Sequence, residues 1–303
     1  MRILISGSSG FVGSAVVDFL TSQAHQVTRL VRRAARDATE IAWHPEQQPL
    51  DADRLEEFDA VIHLAGEGIS DARWSTAKKA RIRDSRVQGT QRLCQSLART
   101  TRRPKVLVSA SAIGFYGNRG GELLDEDSPP GAGFLADVCR QWEAAAQLAA
   151  EAGLRVVWLR IGLVLSPRGG VLAKLLPIFR LGLGGPLGSG RQYMSWITLD
   201  DLVRVVACVV GDETLQGPVN AVSPAAVTNR QFTRTLGRVL TRPAFFRVPA
   251  FLLRAAAGEM ADELFLSGAQ AVPRRLVDRG FVFHDPELRP ALQRLLAPST
   301  AGT

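Results

Sequence analysis

Three glycines near the N-terminus have the spacing that a phosphate-bearing cofactor requires. Gly7, Gly10 and Gly13 follow an apolar segment, Arg2–Ser6, and open an amphipathic one, Phe11–Ser22. Glycine lets a strand turn sharply into a helix, brings backbone amides against a pyrophosphate and lets the helix pack closely. Because the triplet lies inside a strand–helix–strand unit, we predict dinucleotide binding rather than a merely structural turn.

Two adjacent arginines follow the second strand of that unit, which is predicted over Gln26–Val31. An acidic residue at this position would bind the ribose 2′-hydroxyl of NAD. Arg32 can instead place its guanidinium on a 2′-phosphate, and Arg33 can stack on adenine or add charge. The pair favours NADP(H), and a solvent-facing basic turn is the alternative. Glu40 lies beyond the natural end of the strand, so we do not expect it to bind the ribose.

Apolar and amphipathic segments continue to alternate through the first half of the chain. Further strands are predicted over 59–65, 105–110 and 155–161, with helical stretches near 75–100 and 134–152. Alternation at this spacing predicts an α/β fold with a Rossmann-type doubly wound parallel sheet.

The pattern changes after residue 165, where glycine-rich segments bracket a short apolar helix. We therefore assign residues 1–165 to an NADP-binding Rossmann domain, to which residues 195–222 return. The remainder, 166–194 and 223–303, is predicted to form a smaller, mostly helical C-terminal region on the substrate side. Residues 182–192 would line a substrate cleft at the carboxyl edge of the sheet.

Composition narrows the class of protein. Among the 303 residues the formal net charge is +8, but the basic residues occur in small scattered groups, so we predict no nucleic-acid partner. Three cysteines without CxxC spacing favour a reduced, cytoplasmic protein. The first residues show no charged segment before a long apolar run and no small-residue cleavage site, so we do not expect secretion. No later segment is apolar enough to span a bilayer, so we expect no membrane partner. The histidines lack ligand spacing, so we predict no metal site.

Short motifs recur from one end of the chain to the other: GSSGFVG at 7–13, HLAGE at 63–67, RW at 73–74, SASAIGFYG at 109–117, WE at 142–143, GLGG at 182–185, SWITLDD at 195–201 and GEMADEL at 258–264. Together they resemble the extended branch of the short-chain dehydrogenase/reductase superfamily. Within that branch they are similar to the atypical "epimerase family" proteins, usually labelled nucleoside-diphosphate-sugar epimerases, and to their small C-terminal domain of unknown function.

The resemblance adds two cofactor contacts to those argued from the residues. It places Arg86 against the cofactor, where typical extended members have an asparagine, and a cation on a helix surface is the alternative. It also places Leu163 beside the nicotinamide. The complete set of predicted cofactor residues is Gly7, Ser9, Gly10, Phe11, Val12, Gly13, Arg32, Arg33, Leu64, Ala65, Gly66, Arg86, Ser109 and Leu163.

The resemblance fails at the catalytic pair. Counted back from Glu143, the superfamily's Tyr-x-x-x-Lys motif corresponds to Leu135 and Cys139. Leucine does not titrate, and cysteine has no ammonium group to lower the pKa of a phenol. The superfamily's catalytic serine corresponds to Ser111, with Ser109 as the alternative because of an apparent one-residue insertion.

Ser111 and Tyr116 are therefore the predicted catalytic residues. Ser111 could polarise a carbonyl, and a hydroxyl that ties down the strand end is the alternative. Tyr116 is the phenol nearest to the serine segment and could act as an acid, although the common pattern makes it structural. Glu67, in a loop after the third strand, is a further candidate acid, with a surface carboxylate as its alternative.

Two functions fit these residues. The first is an NADP(H)-dependent oxidoreductase or epimerase acting on a sugar-like small molecule or a nucleotide sugar, because hydride transfer depends chiefly on geometry at the cofactor. The second is a non-catalytic NADP(H)-binding protein that senses redox state or supports the assembly of another protein. We favour the enzyme, and the resemblance is compatible with a homodimer.

Overall fold

The computed structural model describes residues 1–47 and 50–297 of the chain. The last six residues of the predicted C-terminal region lie outside these bounds. In chain order the strands are β1 Arg2–Ser6, β2 Gln26–Val31, β3 Glu40–Ala42, β4 Ala60–His63, β5 Val106–Ala112, β6 Leu123–Leu124, β7 Arg155–Ile161, β8 Leu163–Ser166, β9 Tyr193–Met194, β10 Trp196–Thr198, β11 Gly217–Ala221, β12 Val227–Thr228 and β13 Gln270–Ala271. The helices are α1 Phe11–Ser22, α2 Thr76–Ala98, α3 Phe134–Glu151, α4 Gly170–Arg180, α5 Leu199–Gly211, α6 Asn229–Val239, α7 Ala250–Ala257, α8 Arg274–Asp278 and α9 Leu288–Leu296.

Seven strands form the central sheet, in the order β11-β7-β5-β4-β1-β2-β3. Each neighbouring pair in it is parallel. The predicted Rossmann-type doubly wound sheet is thereby confirmed, with β3 as a short edge strand that the sequence analysis missed. The strand order reverses between β1 and β4, and ligands of such sheets bind in the crevice outside the carboxyl ends at this point.

Helices cover both faces of the sheet. Alternate residues of a strand point to opposite faces, so each strand supplies two cores. Helices α2 and α3 pack on one face through Leu4, Val61, Leu107, Leu93, Cys94 and Ala146. Helices α1 and α5 pack on the other through Ile5, Ile62, Val108, Val16 and Val205. Each fully buried aliphatic side chain of this kind contributes roughly 1.5–3 kcal/mol.

The second half of the chain both returns to the sheet and builds a smaller layer beside it. Strand β11 pairs with β7, and α5 contributes to the core under α1. Helices α4, α6 and α9 pack together around the buried Trp196. Helix α7 and a turn of π-helix at Ala261–Phe265 pack against Trp74, in the loop between β4 and α2. The C-terminal region thus lies directly against the carboxyl edge of the sheet.

Candidate active site

The glycine turn is closed by backbone contacts that leave no room for side chains. Gly7 has a φ of +70°, and a Cβ there would lie 2.7 Å from the carbonyl carbon of Leu64. A Cβ on Gly13 would lie 2.1 Å from the carbonyl oxygen of Gly7. The amide of Gly10 donates to that same oxygen over 3.0 Å. The β1–α1 turn is therefore held against the end of β4, at the reversal of strand order.

The N-terminus of α1 is open toward the crevice at this reversal point. We call it the nucleotide crevice; it lies between the β1–α1 turn at 7–10 and the segment 64–66 that follows β4. No described side chain caps the helix, and its first turn has no acidic residue. Ser9 and Gly10 are exposed, whereas Phe11 and Val12 are half-buried. Unpaired amides and the positive end of the helix dipole favour an anion here. A cradle that any Cβ would fill therefore fits the pyrophosphate of a dinucleotide.

A second glycine turn packs over the start of α1. A Cβ on Gly169 would lie 2.4 Å from the Phe11 ring, and one on Gly170 would lie 3.1 Å from it. These glycines are therefore required for the turn to approach Phe11. Arg168, at the exposed tip of the same turn, is a cation at this edge that the sequence analysis did not single out.

Arg32 and Arg33 have different surroundings. Arg33 donates to the two carboxylate oxygens of Glu40 at 2.7 and 2.6 Å. These hydrogen bonds, helped by the amide of Arg36, lower the pKa of the Glu40 carboxyl to about 2. Arg32 is exposed and forms no hydrogen bond or ion pair with another described residue. Glu40 thus holds Arg33 in place, consistent with the prediction from its position beyond β2 that it does not act as a ribose ligand. The side chain of Arg32 remains available to an incoming anion.

Arg86 joins three elements beside the loop that follows β4. Its Nη1 donates to the carbonyl oxygens of Glu67 and Ile82 at 3.0 and 3.1 Å. Its guanidinium carbon lies 5.1 Å from the centroid of the Trp142 ring, and a Cβ on Gly66 would lie 3.2 Å from that carbon. Burial lowers the pKa of Arg86. Arg86 is a half-buried cation between α2 and α3 rather than a cation on a helix surface.

The position of the missing lysine is buried and apolar. Burial raises the pKa of the Cys139 thiol to about 12, so the thiol stays neutral and replaces no ammonium group. The charge of Arg86 acts on this same thiol. Arg86 therefore brings a positive charge from α2 to the neighbourhood where the superfamily has one on α3.

The N-terminus of α3, where Leu135 replaces the tyrosine, is capped by the C-terminal region. Glu263 accepts the amide hydrogens of Phe134 and Leu135, each at 3.1 Å. Gly133 has a φ of +113°, and a Cβ there would lie 2.5 Å from a Glu263 carboxylate oxygen. No local sequence pattern predicts this role of Glu263, because the amides it caps lie 128 and 129 residues away.

Ser111 belongs to a buried row of polar side chains that links β5, α3 and β7. Its hydroxyl donates to Glu143 Oε1 at 2.7 Å. Arg160 donates to the same carboxylate from Nε at 2.8 Å and from Nη2 at 2.9 Å. This hydrogen bond fixes the end of β5 to α3, which is the structural role that the sequence left open as the alternative for Ser111. The same contact offers the hydroxyl a proton acceptor that the sequence analysis did not identify.

Tyr116 contacts this row through Arg160, and none of its surface is exposed. Its hydroxyl lies 2.7 Å from Asn220 Oδ1 and 2.9 Å from the carbonyl oxygen of Asp125, and it accepts a hydrogen bond from Arg160 Nη1 at 2.9 Å. Burial raises the pKa of this phenol to about 12. Because its neighbours already use the hydroxyl, the geometry favours the structural role over that of an acid.

Ser109 is buried in the sheet layer and exposes no surface to the nucleotide crevice. It is the register partner of His63 in β4. Ser109 Oγ and His63 Nε2 have no hydrogen-bond partner among the described residues. His63 Nδ1 lies 2.6 Å from Ser6 Oγ, and burial lowers the pKa of His63 to about 4. The contact of Ser109 with the cofactor therefore stays a prediction.

The remaining candidates lie at the two sides of the site. Leu163, half-buried at the start of β8, donates its amide to the carbonyl oxygen of Ser195 at 2.8 Å. Glu67 accepts from Lys78 at 2.8 Å and from Arg81 at 3.3 Å. These two cations lower the pKa of the Glu67 carboxyl. An ionised carboxylate held by two cations is a poor proton donor.

Fold and crevice together define a dinucleotide-binding protein of the Rossmann type that has Leu135 and Cys139 where the superfamily has its acid–base pair. Residues 3–221 match the NAD dependent epimerase/dehydratase family, and residues 248–295 match a domain of unknown function, DUF1731. The chain belongs to the NAD dependent epimerase/dehydratase family. It is 44% identical over 290 residues to an epimerase family protein of Mycobacterium tuberculosis, with 96% of each chain covered.

One human relative and two solved structures agree with the assignment to this family. The human epimerase family protein SDR39U1 is 34% identical over 300 residues, which cover 98% of this chain and 100% of that one. The crystal structure of its isoform 2 with NADPH has a TM-score of 0.88 at 32% identity, covering 97% of this chain and 99% of the human one. A nucleoside-diphosphate sugar epimerase of Corynebacterium glutamicum has a TM-score of 0.80 at 33% identity, covering 97% of this chain and 58% of that one. The predicted family is confirmed.

Two kinds of feature are absent from the described residues, a membrane-spanning helix and a cluster of metal ligands. None of their helices combines the length and the apolar character that crossing a membrane needs. Across residues 1–47 and 50–297, no three His, Cys, Asp or Glu side chains cluster as metal ligands would. The three cysteines are free thiols. The cytoplasmic location, the homodimer and the predicted lack of nucleic-acid and membrane partners remain predictions.

Proposed function

We propose that this chain binds NADP(H) and catalyses hydride transfer on a sugar-like substrate or nucleotide sugar, as an oxidoreductase or an epimerase. One observation carries the proposal: a β1–α1 turn whose Gly7 and Gly13 leave no room for a Cβ lies at the sheet's reversal point, and Arg32, whose side chain has no partner among the described residues, follows β2. The turn accommodates a pyrophosphate and the arginine a 2′-phosphate. The NADPH of the human relative supports the choice of cofactor.

The predicted cofactor residues divide the dinucleotide among them. Amides at the start of α1 hold the pyrophosphate, and Arg33, fixed by Glu40, stacks on the adenine. The loop at 64–66 borders the adenosine, and Leu163 borders the nicotinamide. The bound cofactor supplies the hydride chemistry.

Arg86 supplies the positive charge that a lysine at position 139 would otherwise supply. Two carbonyls and the Trp142 ring fix its guanidinium, so its position does not depend on a bound ligand. A guanidinium has five N–H donors, and the two contacts described here use only one of its nitrogens. The remaining donors can serve the cofactor, which the neutral thiol of Cys139 cannot do.

The Ser111–Glu143 contact moves the proton. When a substrate hydroxyl is oxidised, Ser111 Oγ takes its proton while the serine's own proton passes to Glu143 Oε1, 2.7 Å away. In the reduction of a carbonyl the same transfers run in reverse. Arg160 orients the carboxylate with two hydrogen bonds, and Tyr116 orients Arg160. Tyr116 is thus a positioning residue in this proposal.

A second candidate function is a non-catalytic NADP(H)-binding sensor or assembly protein. The capped N-terminus of α3 favours it, because Leu135 carries no titratable group and Glu263 of the C-terminal region lies against it. Tight NADPH binding without turnover of any carbonyl or nucleotide sugar would select this function. Turnover that Ser111→Ala reduces in kcat, with an unchanged Kd for NADPH, would select the enzyme.

Fluorescence titration with NADPH and NADH tests the cofactor proposal. Wild-type protein should prefer NADPH, and Arg32→Ala should reduce that preference by roughly 10- to 100-fold, because charge-assisted hydrogen bonds to the 2′-phosphate are lost. Arg102→Ala removes an equally exposed arginine outside the crevice and should change nothing. An NADPH preference that survives Arg32→Ala contradicts the proposed role.

A further inference from the structure

Helix α6 and the segment after it concentrate positive charge. Between residues 214 and 258 the chain has six arginines and no aspartate or glutamate, although its formal net charge is only +8. Five of the six line one open groove of about 560 Å³: Arg230, Arg234, Arg238, Arg242 and Arg247. We call this the arginine groove. The expectation of a basic surface scattered over the whole chain does not hold for this face.

No carboxylate of the described residues neutralises these five side chains. Arg234 and Arg238 are exposed, and their side chains form no hydrogen bond or ion pair with a described residue. The other three donate to backbone carbonyls, in the pairs Arg230–Ser189 at 3.1 Å, Arg242–Arg180 at 2.9 Å and Arg247–Gly188 at 2.5 Å. A carbonyl orients a guanidinium without cancelling its charge, so the groove presents three oriented cations and two free ones, none of them neutralised by a described carboxylate.

The groove is shaped by α6 at a cost to the helix. Arg230, Arg234 and Arg238 recur every fourth residue, so they share one helix face with neighbouring Cβ atoms about 6 Å apart. Like charges at this spacing destabilise a helix, and Arg230 also lies near the positive end of the dipole. Gly237 lets the following segment lie along α6, because a Cβ there would lie 2.6 Å from the Cβ of Ala244.

We propose that the arginine groove is a second anion site, separate from the nucleotide crevice, which binds a small ligand carrying two or more phosphoryl groups. The planar guanidinium binds phosphoryl oxygens through paired N–H donors. The volume falls in the usual range of small-molecule sites, about 300–1,000 Å³. The lining includes none of the residues assigned to the nucleotide crevice. Bound phosphoryl oxygens would also relieve the repulsion between the arginines along α6.

Isothermal titration calorimetry with inorganic triphosphate tests the proposal. Wild-type protein should bind it with an affinity that falls as salt is added. Arg234→Ala/Arg238→Ala should weaken binding by about tenfold or more, because two unpaired donors are lost. Arg102→Ala/Arg289→Ala removes the same charge from exposed positions outside the groove and should change the affinity by less than about twofold. Retained NADPH binding by both variants reports that they fold.

Several outcomes would overturn the proposal. Wild-type protein that binds no triphosphate would do so, as would equal losses in the two double variants, which would reveal only a net-charge effect. Stronger groove-dependent binding of anionic vesicles or single-stranded nucleic acid would assign the groove to a macromolecule. Arg32→Ala should leave the triphosphate affinity unchanged. Failure of the cofactor proposal can therefore be distinguished from failure of the groove proposal. Loss of triphosphate binding in Arg32→Ala would place the anion in the nucleotide crevice instead.

Discussion

The two halves of the candidate site are held in different ways. In the nucleotide crevice, backbone groups set the geometry, and Gly7 and Gly13 matter because they lack side chains. In the reaction half, polar and charged side chains from three elements set it, through the contacts of Glu143 with Ser111 and Arg160. The backbone half can be recognised from a short motif. The side-chain half can lose the usual tyrosine and lysine while a cation and a proton acceptor remain beside the same helix.

The largest predicted effect on stability is in the side-chain half. Glu143→Ala leaves Arg160, a residue only 4% exposed, without its carboxylate partner, and should lower the free energy of unfolding by about 3–5 kcal/mol. Urea denaturation measures this. Arg140→Ala breaks an exposed ion pair with Asp137 on the same helix and should cost no more than about 1 kcal/mol. Equal losses for the two variants would show that the buried pair is not what orders this half.

The next effect depends on pH and lies between the two halves, at His63. Burial lowers its folded-state pKa to about 4, below the ordinary value of 6.5. The unfolded chain therefore binds more protons between these values, so this contribution is complete above pH 6.5 and is lost as the pH falls toward 4. The loss should total about 3 kcal/mol.

Urea denaturation across this pH window should show the slope in wild-type protein and a much smaller one in His63→Gln. Glu40 adds its own loss only below its ordinary pKa of 4.5, because its folded-state value is about 2. An unchanged slope in His63→Gln would mean that His63 is not held neutral.

The backbone half should respond in binding rather than in stability. Gly13→Ala places a methyl 2.1 Å from the Gly7 oxygen, so the β1–α1 turn must shift. The shift displaces the amides that hold the pyrophosphate, so the NADPH affinity should fall by up to about 100-fold, or roughly 3 kcal/mol of binding free energy. Gly211→Ala is the control, because a Cβ there meets nothing within 4 Å. Unchanged NADPH affinity in Gly13→Ala would rule out the glycine turn as the pyrophosphate site.

Most of the fold was predictable because its signals are local. The alternation of apolar strands and amphipathic helices located five strands of the central sheet, β1, β2, β4, β5 and β7, and the helices between them. The three-residue β3 was missed, since so short a strand is defined by its pairing with β2 and not by its own pattern. The short strand pairs of the C-terminal region were missed for the same reason.

The candidate site was predictable only where one segment carries the chemistry. Gly7, Gly13 and Arg32 belong to one local unit, so one short segment predicts them together, and their contacts with a cofactor stay predictions. Arg160 stands in a strand that the sequence analysis described only as apolar, and its partner Glu143 comes from another element. Glu263 acts on a helix more than a hundred residues earlier in the chain. Such roles follow from tertiary packing, which no short motif records.

The central claim is that the cation beside the cofactor has moved from position 139 on α3 to Arg86 on α2. NADPH affinity measured for Arg86→Met, Cys139→Lys and the double variant tests it most directly. Arg86→Met should weaken binding by about tenfold or more, and adding Cys139→Lys should restore much of the loss. NADPH binding by Arg86→Met at the wild-type affinity, or a Cys139→Lys effect that is the same with and without Arg86, would contradict the claim.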